Sequence, residues 1–300
     1  MQKLSFKPIE LSDKVWVHEC VRKNGFRGCE YAFATAYMWS PIFDIRIAAY
    51  KGFCLYQTPH GFWFPSGEGD ILEMIAALRD YSLRERGKPL CFTNVDSSTL
   101  EMLRELFGEQ QSEISTNRDY YDYVYDYKAL STLRGRKLHG KRNHLHRFRE
   151  NAYGFEPITP DSIEEIAAMH NKWCDMKGVY SDPAKLREAG AVIRGLDAFF
   201  ELGLTGGAIR TGGEIVAYTF ASEIGNREND TLAVHVEKAH TELQGCYTAI
   251  CNDFMNSSQI AAKGYKYINR EEDMGAENLR KSKLSYRPAF LLEKYKINFK

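Results

Sequence analysis

The 300-residue sequence contains no apolar run approaching the ~20 residues that cross a bilayer, so no membrane-spanning helix is expected. Its seven cysteines are odd in number and scattered, with no C-x-x-C pair. That excludes a disulfide framework and a zinc ribbon, and predicts buried free thiols in a reducing compartment. No charge of either sign prevails, because 40 Lys+Arg balance 40 Asp+Glu. The molecule as a whole therefore does not attract nucleic acid, and any basic function must come from a local patch. The N-terminal stretch lacks the charged-then-apolar order of a secretory signal, so the expected location is cytoplasmic.

What is present is 44% hydrophobic and 27% charged, enough apolar material for real cores. The length predicts two domains of roughly 150 residues. In the first half, strands are expected at 5–10, 45–50, 53–57, 61–64 and 89–95, and helices at 12–23, 30–39, 70–86 and 97–107. The helix over 30–39 should stop before Pro41. A tyrosine-rich strand, 119–127, should close this half. In the second half, a strand at 153–158 leads into helices at 161–177 and 184–202. A hairpin follows, turning at Gly212-Gly213. A strand at 230–237, a helix at 244–263, a strand at 265–269, a helix at 277–284 and a final strand at 288–295 complete it. The halves repeat one element order, which predicts a structural duplication.

Two segments carry chemistry. Residues 127–149 contain no acid but hold eight Lys and Arg and three His. If helical, Leu138, Leu145 and Phe148 would dock on a core while the cations face outward, an arrangement suited to phosphates. The bland alternative is a solvated linker helix. His139, His144 and His146 do not share a helix face, so no metal is expected there. In the second segment, Asn269, Arg270, Glu271, Glu272 and Asp273 run directly off a strand, where α/β folds favour ligands. Arg280, Lys281, Lys283, Tyr286 and Arg287 follow. The acids could deprotonate an amine, and the bases could steady an oxyanion or phosphate. The macrodipole alone explains the Glu277–Lys281 charge order, a second reading.

The stretches LSTLRGRKLHGKRNHLHRF (130–148) and YINREEDMGAENLRKSKLSYRP (265–288) resemble a bacterial family related to the C-terminal domain of phosphatidylglycerol lysyltransferase. That resemblance implies an α/β (α+β) fold of two tandem GNAT-like acyltransferase domains, each a mixed, mostly antiparallel sheet flanked by helices. It places an N-terminal domain at 1–127, a basic interdomain helix at 128–152 and a C-terminal domain at 153–300. The Fem-type peptidyltransferases share the layout. The implied function is an acyl- or aminoacyl-transfer, with aminoacyl-tRNA as donor and an amine or hydroxyl acceptor: a small molecule, peptide or lipid headgroup. Alternatives are an acyl-CoA-dependent N-acyltransferase and a non-catalytic RNA- or nucleotide-binding module. No further cofactor is implied.

Glu272, Asp273 and Lys283 are the expected catalytic residues, with Glu272 or Asp273 as base and Lys283 at the oxyanion. The expected substrate-binding residues are Arg136, Lys137, His139, Lys141, Arg142, Asn143 and His144 from the basic segment. To these are added Gln244, Gly245, Tyr247, Asn269, Arg270, Glu271, Arg280 and Tyr286. Coenzyme-A-dependent relatives bind pyrophosphate at a Gly-rich turn opening a helix. Here Glu242-Leu243-Gln244-Gly245-Cys246-Tyr247 keeps one glycine in register, which weakens the coenzyme A reading. The transfer reading requires 128–149 and 265–288 to converge in space.

Overall fold

The computed structural model of the protein describes residues 4–108 and 111–300. Its strands form two sheets. The first runs in the order β1 (Lys7–Pro8), β2 (Arg46–Tyr50), β3 (Phe53–Thr58), β4 (Gly61–Trp63), β6 (Cys91–Val95), β15 (Tyr295–Phe299), β7 (Ser112–Thr116), with β5 (Ser66–Gly67) beside β3. The second runs β14 (Phe290–Leu292), β8 (Asp122–Asp126), β13 (Tyr267–Asn269), β12 (Thr231–Ala239), β11 (Glu214–Glu223), β10 (Thr205–Thr211), β9 (Gly154–Pro157). The helices are α1 (Lys14–Val21), α2 (Phe33–Phe43), α3 (Ile71–Arg86), α4 (Ser97–Phe107), α5 (Tyr127–Thr132), α6 (His139–Arg149), α7 (Ile163–Met176), α8 (Pro183–Asp197), α9 (Cys246–Asn256), α10 (Ser258–Ala261) and α11 (Glu277–Ser285).

The duplication is visible in the pairing. In the first sheet α3 connects β4 to a parallel β6; in the second, α9 and α10 connect β12 to a parallel β13. All other strand pairs are antiparallel.

The sheets exchange strands. The tyrosine-rich strand expected to close the first half lies in the second sheet, between β14 and β13. Tyr123, Val124 and Tyr125 are all fully buried, as a central strand covered on both faces requires. The single final strand expected at 288–295 is two strands, broken at Glu293-Lys294: β14 stays in the second sheet and β15 crosses into the first. Strand β7, which sequence reading did not anticipate, is the polar edge beside β15.

Local rules set most boundaries. Asp70 caps α3 through Glu73 N at 3.0 Å, and Asp96 caps α4 through Thr99 N at 2.8 Å. Pro183 opens α8 behind the Asp182 cap. The Gly212-Gly213 turn has positive φ at both residues, as the hairpin signature requires. Three expectations fail for identifiable reasons. Helix α2 continues through Pro41, because the Tyr37 carbonyl that proline leaves unpaired accepts from Ser40 Oγ at 2.9 Å and Arg194 Nε at 3.0 Å. The helix expected at 244–263 breaks at Ser257, an extended residue (φ −63°, ψ 150°). The basic segment is two helices, separated where Leu133 (φ 49°) and Gly135 (φ 93°) turn left-handed.

One face of the second sheet packs on α5, α6 and α9. The other face, through Ala208, Tyr218, Phe220 and Val236, joins the core that fills the first half. Deleting residues 295–300 should remove the strand that joins β6 to β7. Hydrogen exchange should then show protection lost first in β6 and β7, while β10–β12 stay protected; equal loss in both sheets would contradict this account.

Candidate active site

Strands β12 and β13 pair only at Thr231↔Tyr267, Leu232↔Ile268 and Ala233↔Asn269. Beyond these residues they diverge, and the turn 270–273 begins in the gap. Its path is tightly determined. The Lys283 ammonium, buried, donates to the carbonyls of Arg270 (2.7 Å), Glu271 (3.2 Å) and Glu272. Burial pushes the Lys283 pKa down, opposed by Glu272 and Glu271. Asp273 is fully buried and bound by Arg280 Nε at 2.9 Å, Arg280 Nη2 at 2.8 Å, the Tyr123 hydroxyl at 2.5 Å and Gly275 N at 2.9 Å. Burial would raise its pKa, but these donors hold the carboxyl well below the usual range. Between these anchors Glu271 adopts φ 58°, a conformation uncommon for a non-glycine residue. Its N–H donates to Asn269 Oδ1 at 2.7 Å.

This backbone sends three successive side chains into three environments. Arg270 fills the gap between the diverging strands and donates to Glu237 at 2.7 Å, with Tyr286 4.9 Å and Tyr125 5.7 Å from its guanidinium. Its second terminal nitrogen, Nη1, is buried without a partner among the described residues. Lys141 of α6 reaches the same chamber, its ammonium 3.8 Å from the Tyr286 ring centre. Burial first, and the neighbouring Arg270 next, lower the Lys141 pKa to about 8. The two sequence segments thus converge here.

The same helix α6 covers the start of α9. A Cβ on Gly245 would lie 2.2 Å from the His144 carbonyl oxygen and 3.1 Å from Phe148 Cβ, and Gly245 itself has φ 90°. The corner where coenzyme-A-dependent relatives are expected to seat pyrophosphate is therefore occupied by protein.

Glu271 points to the other face of the sheet. The β11–β12 register shifts so that Phe220 pairs with Val236 and Ala221 with Val234, leaving His235 as the extra residue of a bulge. His235 Nδ1 lies 2.9 Å from Glu271 Oε1 and 3.3 Å from Thr35 Oγ1, and Nε2 lies 2.8 Å from Ser222 Oγ. The imidazole is unexposed while Glu271 keeps 19% of its side chain accessible. A hydroxyl, an imidazole and a carboxylate in a row is an arrangement that moves protons.

Glu272 enters a third cluster with Cys29, Glu30, Asp122 and Lys294. The Lys294 ammonium lies 2.7 Å from both Glu30 and Asp122. Glu272 Oε2 is 3.7 Å from Cys29 Sγ. Asn269 Nδ2 and the Cys29 N–H also donate to Asp122, at 2.8 and 2.9 Å. Burial, opposed by Lys294, raises the Glu30 carboxyl to about 7 and raises Glu272 as well. Burial would lower the Lys294 pKa, but Asp122, Cys29 and Glu30 raise it well above the ordinary value. Cys29, Glu30 and Asp122 present donor atoms within 4.8 Å of one another, a spacing that metals also use. Here the Lys294 ammonium already reaches all three, lying 2.7 Å from both carboxylates and 3.6 Å from Cys29 Sγ.

The expected catalytic set is redistributed by this geometry. Lys283 spends its three N–H groups on carbonyls, and Asp273 has its oxygens saturated by arginines and a tyrosine, so both position the turn. Glu272 faces the buried Lys294 cluster. Arg280 belongs to the Asp273 clamp and Asn269 to Asp122. Arg142 donates to the Leu133 and Gly135 carbonyls and closes the end of α5. Arg136, Lys137, His139, Asn143, His144 and Gln244 are exposed, while Tyr247 is half-buried. Ser222, His235, Glu237, Cys29, Glu30, Asp122 and Lys294 escaped sequence reading. They come from separate elements, and only the parity of β12 could have flagged His235.

Two mixed sheets with this repeated β–α–β crossover define a tandem GNAT-like transferase fold, shared with an acetyltransferase of the GNAT family from Colwellia psychrerythraea (TM-score 0.53, 8% identity, covering 99% of this chain and 100% of that one). The profile of the family described as phosphatidylglycerol lysyltransferase, C-terminal, matches residues 22–298, and the chain belongs to that family. It is similar over 99% of its length, and 100% of the other chain, to a conserved protein of unknown function from Bacteroides thetaiotaomicron, with 36% identity and a TM-score of 0.92. Its fold also matches L-PGS from Bacillus licheniformis (TM-score 0.64, 12% identity, 98% of this chain and 92% of that one). An uncharacterized protein of Mycoplasmoides gallisepticum is 24% identical over 186 residues, covering 62% of this chain and 56% of that protein. Among the described residues no helix is long and apolar enough to cross a membrane.

Lys294→Met should destabilise the protein by about 3–5 kcal/mol near neutral pH, because buried carboxylates lose their counter-charge. Raised carboxyl pKa values mean that the folded state binds more protons than the unfolded one between the ordinary carboxylate range and about 7. Stability from this source falls as pH rises through that window. The urea-midpoint deficit of the variant should therefore shrink from pH 8 to pH 5, and a pH-independent deficit would refute the charge explanation. Gly245→Ala should destabilise the protein by about 1–3 kcal/mol through collision with α6, read as a lowered melting temperature.

Proposed function

We propose that this transferase moves an aminoacyl group from aminoacyl-tRNA to an amine or hydroxyl acceptor. The single observation that carries the reading is the placement of α6. It covers the α9 corner that an acyl-CoA donor would use, and it inserts Lys141 beside Arg270. Its outer side and the turn that precedes it offer His139, Asn143, His144, Arg136 and Lys137 to solvent, where a polyanionic donor could be held.

In this reading Glu271 is the base, since its carboxylate is the accessible end of the Glu271–His235–Ser222 row. The acceptor's nitrogen or oxygen attacks the ester carbonyl of the donor and forms the new bond. Glu271 takes the acceptor's proton, and His235 holds the carboxylate in place. The Lys141 ammonium and Arg270, across the sheet from Glu271, hold a phosphate of the donor rather than the reacting carbonyl. The bond to the tRNA ribose oxygen then breaks, and that oxygen recovers the proton. The acceptor class rests on the family, whose name describes lysyl transfer to a lipid; an amine or peptide acceptor fits the same chemistry.

Purified protein should be incubated with charged tRNA, and separately with acyl-coenzyme A, against a panel of amine and hydroxyl acceptors. Turnover is expected only with charged tRNA, and tRNA binding should weaken steeply with salt. Glu271→Gln should reduce kcat by about 10²–10⁴-fold while tRNA binding persists. Turnover with acyl-coenzyme A alone, or full activity in Glu271→Gln, would defeat the reading. Charge-dependent RNA binding without any transfer would instead favour a binding module.

A further inference from the structure

Helices α5, α6 and α9 line an open groove of about 600 Å³ that is separate from the three clusters around the turn 270–273. Its volume lies within the ~300–1,000 Å³ typical of small-molecule sites. That is several times the bulk of a lone phosphate. The stripe Arg142, His146, Arg149 lines one wall, spaced at i, i+4 and i+7 along α6 so that all three share a helix face. Asn252 and Asn256 of α9 line the opposite wall.

The hydrogen-bond account of these groups is uneven. Both asparagine amides spend their N–H groups on backbone carbonyls: Asn252 on Leu130 (3.1 Å) and Ser131 (2.8 Å), Asn256 on Ser131 (2.8 Å) and Asn252 (2.8 Å). Their flips are thereby fixed, and the amide oxygens are left as acceptors. Asn252 Oδ1 has only a 3.4 Å contact from Arg149, and Asn256 Oδ1 has no partner among the described residues. Asn252 is 5% exposed, so its oxygen depends on the groove for hydration or a ligand. On the other wall, Arg149 is tied to Asp253 at 2.8 Å and the Tyr153 hydroxyl at 3.3 Å, which fixes its direction. Arg142 is held by Nη1 on the Leu133 carbonyl and on the Gly135 carbonyl at 2.8 Å, and its Nε and Nη2 have no partner among the described residues. Glu150 also lines the groove, but it is 66% exposed and leans on His146 at 3.5 Å.

We propose that this groove binds a nucleotide, with the phosphate on Arg142, Arg149 and His146 and an exocyclic amino group of the base on the asparagine oxygens. Leu133 and Leu145 form the apolar wall against which the ring would lie. Cations on one side and fixed acceptors on the other suit a ligand with an anionic end and an N–H donor end. The site stands whether or not the chain transfers an aminoacyl group.

Titration calorimetry with AMP, CMP and inorganic phosphate tests this on the full chain. AMP and CMP should bind saturably and more tightly than phosphate. His146→Glu reverses the wall's charge at an exposed side chain that folding does not need, and should weaken AMP binding by about tenfold, ~1.4 kcal/mol. Arg147→Glu lies on α6 outside the groove and should leave AMP affinity within about twofold. Uncharged tRNA that competes with AMP would identify an RNA end as the source; AMP binding without competition would identify a free nucleotide. The proposal is overturned if neither nucleotide binds at millimolar concentration. It is equally overturned if phosphate binds as well as AMP, or if both variants weaken binding alike. Transfer from charged tRNA in a protein that fails these tests would sink this inference alone.

Discussion

One ammonium group holds the centre of this molecule in place. Lys283 donates to three consecutive carbonyls, those of Arg270, Glu271 and Glu272. Burying a charged amine costs several kcal/mol unless its hydrogen bonds are satisfied, and three carbonyls satisfy it. The arginine-bound carboxylate of Asp273 fixes the next residue. Between them the chain has no freedom, and the left-handed backbone of Glu271 persists because both flanks are determined. The strand β13 ends, yet the next three side chains remain as ordered as strand residues. Each enters a different cluster: Arg270 toward α6 and α9, Glu271 toward the bulge of β12, Glu272 toward Lys294.

That division changes what the second sheet's gap can do. A gap between diverging parallel strands is open space unless something fills it. Here the Arg270–Glu237 pair fills it, and α6 closes the corner at Gly245. The positive charge left over, with Lys141 beside Arg270, makes the chamber attractive to an anion without a glycine-rich turn. The bulge at His235 turns an imidazole to the opposite face of the same strand, toward Thr35 of the first half. Binding and proton transfer could therefore be separated by one layer of sheet.

Much of this was legible in the sequence. The element order and the hairpin follow from periodicity and turn residues, which act over a few residues, while the convergence of two charged segments was a requirement of the family resemblance. Lys283, Asp273 and Glu272 meet at the turn, but what each side chain binds there was not readable. A lysine that stabilises an oxyanion and one that binds three carbonyls look alike in one dimension. The same holds for a carboxylate free to act and one clamped by Arg280. Pro41 misled for a related reason, since the groups that satisfy Tyr37 include Arg194, 157 residues away. His235, Ser222 and Thr35 carry no local signal, and the Lys294 cluster draws its members from four distant segments. Strand exchange was equally hidden, because strand propensity does not name a partner.

The exchange of β8 and β15 has a consequence for how the protein can be assembled. The first sheet lacks the strand joining β6 to β7 until residues 295–299 arrive, and the second cannot seat β13 against β14 without residues 122–126. Neither half is a self-sufficient folding unit, despite the duplicated pattern. Closure of the first sheet depends on pairings nearly two hundred residues or more apart in sequence, which predisposes the chain to slow folding. It also means that a gene fusion or half-exchange cut at the midpoint would sever both sheets at once, so new specificities in this scaffold must come from the turns and helices laid over it.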